Sequence, residues 1–247
     1  MRISFCSTCM GRLHHIREAL PQNLRDNADY AHLEYVLLDY NSQDGLEQWA
    51  RDTLKNEIRS GRVVYWRERA VKYFSAAHAK NLANCLATGD VLVNLDGDNF
   101  TGVGYAKKIE EFFNNDPKIV IRTPKRASVD LWGRVVLRRE DFHAVRGNDE
   151  LFHGWGYDDV DIVDRAHRQL KLRVVDYLHP GSHAIPHPDN ERIRFVKGKV
   201  SRHGLNQENM AIARARKVGQ VINPNGYGAA SVFKNLEQEP RRVIWGV

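Results

Sequence analysis

The sequence predicts an α/β protein built on a mostly parallel sheet with helices on its faces. Two observations carry this. Apolar runs of strand length alternate with amphipathic stretches of helical period through the first hundred residues, in the order β-α-β-α-β-α-β. Polar residues cluster just after these strands, at Ser7 and Thr8, at 39–44 and at 96–99. Parallel α/β sheets bind ligands at the carboxyl ends of their strands, so these are the residues to read for function.

The elements follow in order. Arg2 to Cys6 reads as a first strand. Leu13, Ile16, Leu20 and Leu24 recur at helical spacing. Glu34 to Asp39 holds the buried-strand run Tyr35-Val36-Leu37-Leu38. Leu46, Trp49, Ala50, Thr53, Leu54 and Ile58 mark one amphipathic helix, closed near Gly61. Val63 to Trp66 is a third strand. Ala79, Leu82, Ala83 and Leu86 predict a helix stopped at Gly89, and Asp90 to Leu95 a fourth strand.

The second half is less regular. Tyr105, Ile109 and Phe112 suggest a helix, and Ile119 to Arg122 and Val135 to Arg138 suggest strands. A helix begins near Asp158, carried by Val160, Val163, Ala166, His167 and Leu170, and Val174 to Tyr177 is a further strand. From His179 to Phe195 the chain is rich in Pro, Gly, His and charge and reads as a loop. Asn206 to Lys217 is a basic helix, and the tail after Asn223 has little pattern. No clean linker interrupts the chain. One domain is expected, with a sheet half over 1–100, an acceptor-side half over 101–205, and a C-terminal helix and tail over 206–247.

Composition narrows the class. A chain of 247 residues, with 42% hydrophobic and 28% charged residues, is an ordinary globule that buries about three quarters of its unfolded surface. The excess of 37 Lys+Arg over 31 Asp+Glu, +6, suits an anionic partner: a nucleotide, a nucleic acid or an acidic membrane surface. No stretch approaches the ~20 apolar residues of a membrane span, and the first ten residues lack a signal-peptide pattern. Three cysteines, at 6, 9 and 85, argue against a disulfide framework and for a cytoplasmic location. Cys6-Ser7-Thr8-Cys9 has redox spacing but sits on a strand end, not at a helix N-terminus.

Two motifs carry chemistry. Asp96-Gly97-Asp98 follows the apolar strand 91–95, with Gly97 permitting a sharp turn. Two carboxylates on one tight turn offer oxygen ligands to a hard divalent ion, which leaves positions open for substrate phosphates. Asp and Gly also make ordinary surface turns; the place of this one after the fourth strand is what points to a ligand. The second motif is Gly154-Trp155-Gly156-Tyr157-Asp158-Asp159-Val160-Asp161. Carboxylates at a helix start can simply complement its dipole. Beside a glycine-flexible loop with an aromatic ring they also suit a sugar site, where the ring stacks a pyranose face and a carboxylate takes a hydroxyl proton.

In this order the two motifs resemble the GT-A glycosyltransferases, in particular the large family 2 of inverting enzymes. Six stretches carry the resemblance, from Arg2 to about His187: residues 3–8 with Arg12; Leu37 to Asp44, similar to an Asp-x-x-Ser-x-Asp turn; Ala79-Lys80-Asn81-Leu82-Ala83 with 87–90; Leu95 to Asn99, similar to the Asp-x-Asp motif; Gly133 to Arg168; and Ala184-Ile185-Pro186-His187. The fifth is the most specific. Its strand, its Arg139-Glu140-Asp141-Phe142 segment and its Gly-Trp-Gly run resemble the C-terminal module of β-1,4-galactosyltransferases.

The resemblance implies a Rossmann-like GT-A sheet and a metal-dependent, inverting transfer of a sugar from a nucleoside-diphosphate sugar, with UDP favoured. It implies that Thr8 and Asp39 contact the nucleoside, with Ser7, Arg12 and Lys80 nearby. It implies that Asp96 lies near the ribose or metal, that Asp98 and His187 ligate the metal, that Trp155 packs on a sugar, that Asp159 is the catalytic base and that Asp158 binds acceptor. An imidazole ligand favours Mn over Mg. His183 competes with His187; the flanking Ala-Ile and the following Pro-Asp-Asn favour His187. The chain departs from the family at Tyr157, where a glycine is usual, and at Asp158, where a glutamate is usual. The acceptor stays open among a glycan, a lipid-linked saccharide, a protein, a small molecule and a modified nucleic acid. A sugar-nucleotide pyrophosphorylase would want a Gly-rich basic loop after the first strand, which residues 6–12 match poorly. A basic nucleic-acid-binding protein is the non-enzymatic alternative, suggested by Arg192, Arg194, Lys197, Lys199 and Arg202.

Overall fold

A computed structural model describes residues 1–217 and 219–247. The N-terminal half runs β1 (Ile3–Cys9), α1 (Leu13–Asp26), β2 (Leu33–Tyr40), α2 (Leu46–Thr53), α3 (Lys55–Ser60), β3 (Val63–Glu68), α4 (Ala76–Leu86) and β4 (Val91–Asn94). Then follow β5 (Asn99–Phe100), α5 (Tyr105–Asn115), β6 (Ile119–Arg122), a 3-10 turn (Val129–Leu131), β7 (Val135–Arg138), α6 (Arg139–Ala144), α7 (Asp158–Leu170) and β8 (Arg173–Asp176). The chain ends with β9 (His183–Ala184), α8 (Asp189–Ile193), α9 (Arg202–Ala215), β10 (Tyr227–Lys234) and β11 (Arg241–Trp245).

Among the described residues, nine strands form the main sheet in the order β11-β10-β3-β2-β1-β4-β7-β6-β8. By their pairings β1, β2, β3, β4, β6, β8 and β11 run one way, and β7 and β10 the other. Both faces of the central strands are buried, so β2 reads as an unbroken apolar run and not as an alternation. Tyr35 and Leu37 face one core, with Ile16 and Leu20 of α1, Ala50 of α2 and Ile109 of α5. Val36 and Leu38 face the other, with Leu82 of α4 and Ile162 and Ala166 of α7. The period-2 geometry of β1 also splits Cys6 from Cys9, one in each core. Burial holds the Cys6 thiol well above its usual range and pushes Cys9 up to about 12, which disfavours the thiolate form.

Three expectations differ. The helix expected over 46–58 bends at Leu54, which leaves helical angles (φ −102°, ψ 16°) while staying in the core. The segment 179–195, expected as a loop, contains β9 and α8. β9 is a two-residue strand that exists only by pairing Asn99 with Ala184 and Phe100 with His183. The tail is not patternless: β10 pairs antiparallel with β3, buries Tyr227 and Val232, and carries β11 outside it. No helix among the described residues is long and apolar enough to cross a membrane.

Candidate active site

A cavity opens at the carboxyl ends of β1 and β4. Thr8 and Cys9 of β1, Arg12 and Ile16 at the start of α1, and Lys80 of α4 line it. So do the turn Asp96-Gly97-Asp98, Trp155, His187, and Glu191 and Arg192 of α8. A second, adjoining hollow shares Lys80 and is lined by Asp158 and Asp159 at the start of α7.

The acidic turn is held by tertiary contacts. Ile185 N–H donates to the Asp98 carbonyl (2.9 Å), running the strand of β9 past the turn and delivering His187 beside it. The buried Arg134 guanidinium clamps the same region, donating to Ser182 Oγ (2.8 Å) and the Phe100 carbonyl (3.0 Å). Gly133 is needed where it stands, because a Cβ there would collide with the Asp96 carboxylate.

Asp98 Oδ2 and His187 Nε2 lie 2.8 Å apart, both side chains almost fully buried. Arg12 Nη1 lies 2.9 Å from the same His187 nitrogen. The carboxylate calls for an N–H there and the guanidinium for a lone pair, and one nitrogen cannot supply both. Burial works to raise the Asp98 carboxyl, but His187 and Arg12 outweigh it and hold it below its usual range. Burial raises Asp96; Lys80 opposes the rise and Asp98 adds to it. An ionised carboxylate, an imidazole lone pair and a cavity beside them are a donor set that fits a divalent cation, and such an ion would relieve the conflict at His187 Nε2. His15 joins this group, with one ligand atom each of His15, Asp98 and His187 lying within 4.8 Å of one another. Burial pulls the His15 pKa down to about 4, with His14 adding to the effect, so its imidazole is neutral at pH 7.

At the head of α7 the two carboxylates take different partners. Lys80 Nζ donates to Asp158 Oδ2 at 2.5 Å, a pair enclosed on all sides. Burial alone would lower the Lys80 pKa; Asp158, Asp96 and Asp159 raise it instead. Among the described residues Asp159 has no such ion pair. Burial and the neighbouring Asp158 push it up to about 7, with Lys80 opposing. Tyr157, immediately before, sits in the left-handed region at φ 68°, where glycine is the easier residue.

Trp155 stands at the cavity mouth. The Arg192 and Arg202 guanidinium carbons lie 5.8 and 5.4 Å from its ring centre. Its loop is pinned by the buried Asn209 of α9. That amide accepts from His153 N–H (2.7 Å) and donates to the carbonyls of His153 (3.0 Å) and Gly156 (2.8 Å).

Residues 124–188, from just before β7 through α7 to His187, match the family model described as the N-terminal domain of galactosyltransferase. No curated protein matches the chain by sequence. Solved structures match it in three dimensions. The mannosyltransferase PcManGT of Pyrobaculum calidifontis, in complex with GDP-Man and Mn2+, has a TM-score of 0.62 at 18% identity, over 86% of this chain and 69% of that one. Residues 1–349 of S. aureus TarS, in complex with UDP-GlcNAc, give 0.65 at 15%, over 86% and 65%. The catalytic domain of Drosophila β1,4-galactosyltransferase 7, in complex with xylobiose, gives 0.57 at 13%, over 98% and 92%. The fold is the GT-A glycosyltransferase fold.

On this GT-A fold most of the sequence-predicted residues converge. Thr8, Arg12, Lys80, Asp96, Asp98, Trp155 and His187 line one cavity, and Asp158 and Asp159 the adjoining hollow. His183 does not converge. It is exposed, stacks on Phe100 (4.3 Å, 11°) and donates from Nδ1 to the Gly181 carbonyl (2.9 Å), so the imidazole beside Asp98 is His187. Ser7 does not line the cavity: its hydroxyl is fully buried, bonded to Tyr35 Oη (2.7 Å) and the Leu95 carbonyl (2.6 Å). Asp39 is fully buried and does not line the cavity either: Oδ1 accepts from Ser42 N–H in the turn after β2 and Oδ2 from Tyr65 O–H of β3, both at 2.6 Å. Sequence reasoning missed His15, Glu191 and Phe195. The available signal for His15 was its place just after Arg12, on the first turn of the helix that follows β1.

Proposed function

We propose that the chain is a metal-dependent, inverting glycosyltransferase that moves a sugar from a nucleoside-diphosphate sugar, with UDP as the favoured nucleotide, to an acceptor hydroxyl. The observation that carries this is the Asp98–His187 pair, buried beside the Arg12 guanidinium in a cavity at the carboxyl end of the sheet. The neighbours solved with GDP-Man and Mn2+ and with UDP-GlcNAc support the same reading. A divalent cation, Mn2+ before Mg2+ given the imidazole, would be held by Asp98 and His187 with Asp96 close by, and would neutralise charge on the departing diphosphate.

The chain's own residues do the rest. Arg12 faces the diphosphate once it is free of His187. Trp155 offers an aromatic surface to a sugar ring at the mouth. Lys80 neutralises Asp158, which leaves Asp159 as the carboxylate able to accept a proton. The acceptor O–H gives its proton to Asp159 as its oxygen bonds to the anomeric carbon. The bond from that carbon to the diphosphate oxygen breaks on the opposite side, its electron pair leaving with the nucleoside diphosphate.

Calorimetric titration of UDP and GDP, with and without Mn2+, on the wild type and Asp98→Ala tests the donor site. Metal-dependent binding of one nucleotide, lost in the variant, is expected. Binding of neither nucleotide with Mn2+ present would overturn the reading.

A further inference from the structure

His15 is a buried imidazole that makes no side-chain hydrogen bond among the described residues. Its side chain is 4% exposed. Its Nδ1 is enclosed without a hydrogen-bond partner, and its Nε2 comes no closer than 3.6 Å to Glu191 Oε1 among the described residues. A buried polar ring that makes no hydrogen bond costs folding free energy, so its retention calls for a use. Its position supplies one. The ring lies 5.1 Å from that of His187, centre to centre, and the donor atoms of His15, Asp98 and His187 fall within 4.8 Å of one another. His187 Nδ1 is likewise buried without a partner, so two imidazoles here are short of bonds.

We propose that His15 is a third protein ligand of the divalent cation, completing a set of two imidazoles and one carboxylate with His187 and Asp98. This rests on the metal-dependent reading above and adds to it. His15 stands on the first turn of α1, three residues after Arg12. The head of α1 would therefore bring a ligand and a phosphate-facing cation to one site. Two nitrogen donors favour a borderline transition ion over Mg2+, which prefers oxygen and keeps its waters. The Arg12 contact to His187 would be exchanged for substrate phosphate as the ion enters.

The test uses Mn2+ alone as the probe, on the full chain. Pulsed EPR of the Mn2+ complex, with the histidines labelled by 15N, counts the coordinated imidazoles. Two coupled nitrogens are expected for the wild type and one for His15→Asn. Mn2+ affinity in that variant should fall by on the order of 10–100-fold, the loss typical even of outer partners of metal ligands. One coupled nitrogen in the wild type, or two retained in His15→Asn, would overturn the role of His15 and leave the Asp98–His187 site standing. Absence of Mn2+ binding to the wild type, with and without UDP, would overturn both. Should His15→Asn fail to fold, the wild-type nitrogen count decides alone.

Discussion

Asp158 and Asp159 are adjacent and chemically identical, and their surroundings differ. Lys80 donates to Asp158 at 2.5 Å. Burial and Asp158 push Asp159 up to about 7, the range that suits the proposed base. A base must be ionised before it can accept a proton. Transfer by the wild type should therefore fall about tenfold per pH unit below about pH 7 and level off above it. Asp159→Asn should cost roughly 10²–10⁴-fold in kcat and abolish that limb. A pH–rate profile of both proteins checks this; near-normal turnover by the variant would exclude Asp159 as the base.

At the scale of elements, the site depends on pieces that belong to no single stretch of chain. α9 contributes no lining residue, yet its Asn209 holds the loop that presents Trp155 through bonds to the backbone at 153 and 156. Asn209→Ala leaves buried backbone groups without partners, at roughly 1–3 kcal/mol. The expected outcome is a lower melting temperature together with a raised KM for acceptor and a kcat changed less. A melting curve and acceptor kinetics read the two effects separately. α9 is itself tied down by Arg216, which reaches Asp149 (2.9 Å) and Asp161 of α7 (2.7 Å).

Across the whole molecule, the C-terminal strands close the sheet. β10 covers the edge of β3, and Arg146 donates to the carbonyls of Ile222 (2.9 Å), Asn223 and Gly246 (2.6 Å each). Removing residues 220–247 exposes the β3 edge and the buried side chains of Tyr227's neighbours, an invitation to edge-to-edge association. The truncated chain should lose its cooperative thermal transition and elute as aggregates. A monomer melting within a few degrees of the full chain would show the tail to be dispensable.

The sequence by itself determined the parallel half of the sheet. Fully buried strands and the helices over them write their periods into local composition, as at 35–38 and at 79–86. The acidic turn, the Gly-Trp-Gly run and the two carboxylates at the head of α7 were legible because each is contiguous in the chain. Tertiary structure alone decided the rest. β9 and β10 are strands only because a partner strand receives their backbone groups, and local propensity does not encode a partner. The choice of His187 over His183 follows from β9 pairing with β5, which carries one imidazole to Asp98 and stacks the other on Phe100. Ser7 and Asp39 have residue types that suit a nucleoside, and only the fold shows that neighbouring strands take up their polar atoms. His15 shows the converse. A histidine on a helix is unremarkable in the sequence, and it acquires meaning when the fold sets Asp98 and His187, far away in the chain, against its ring.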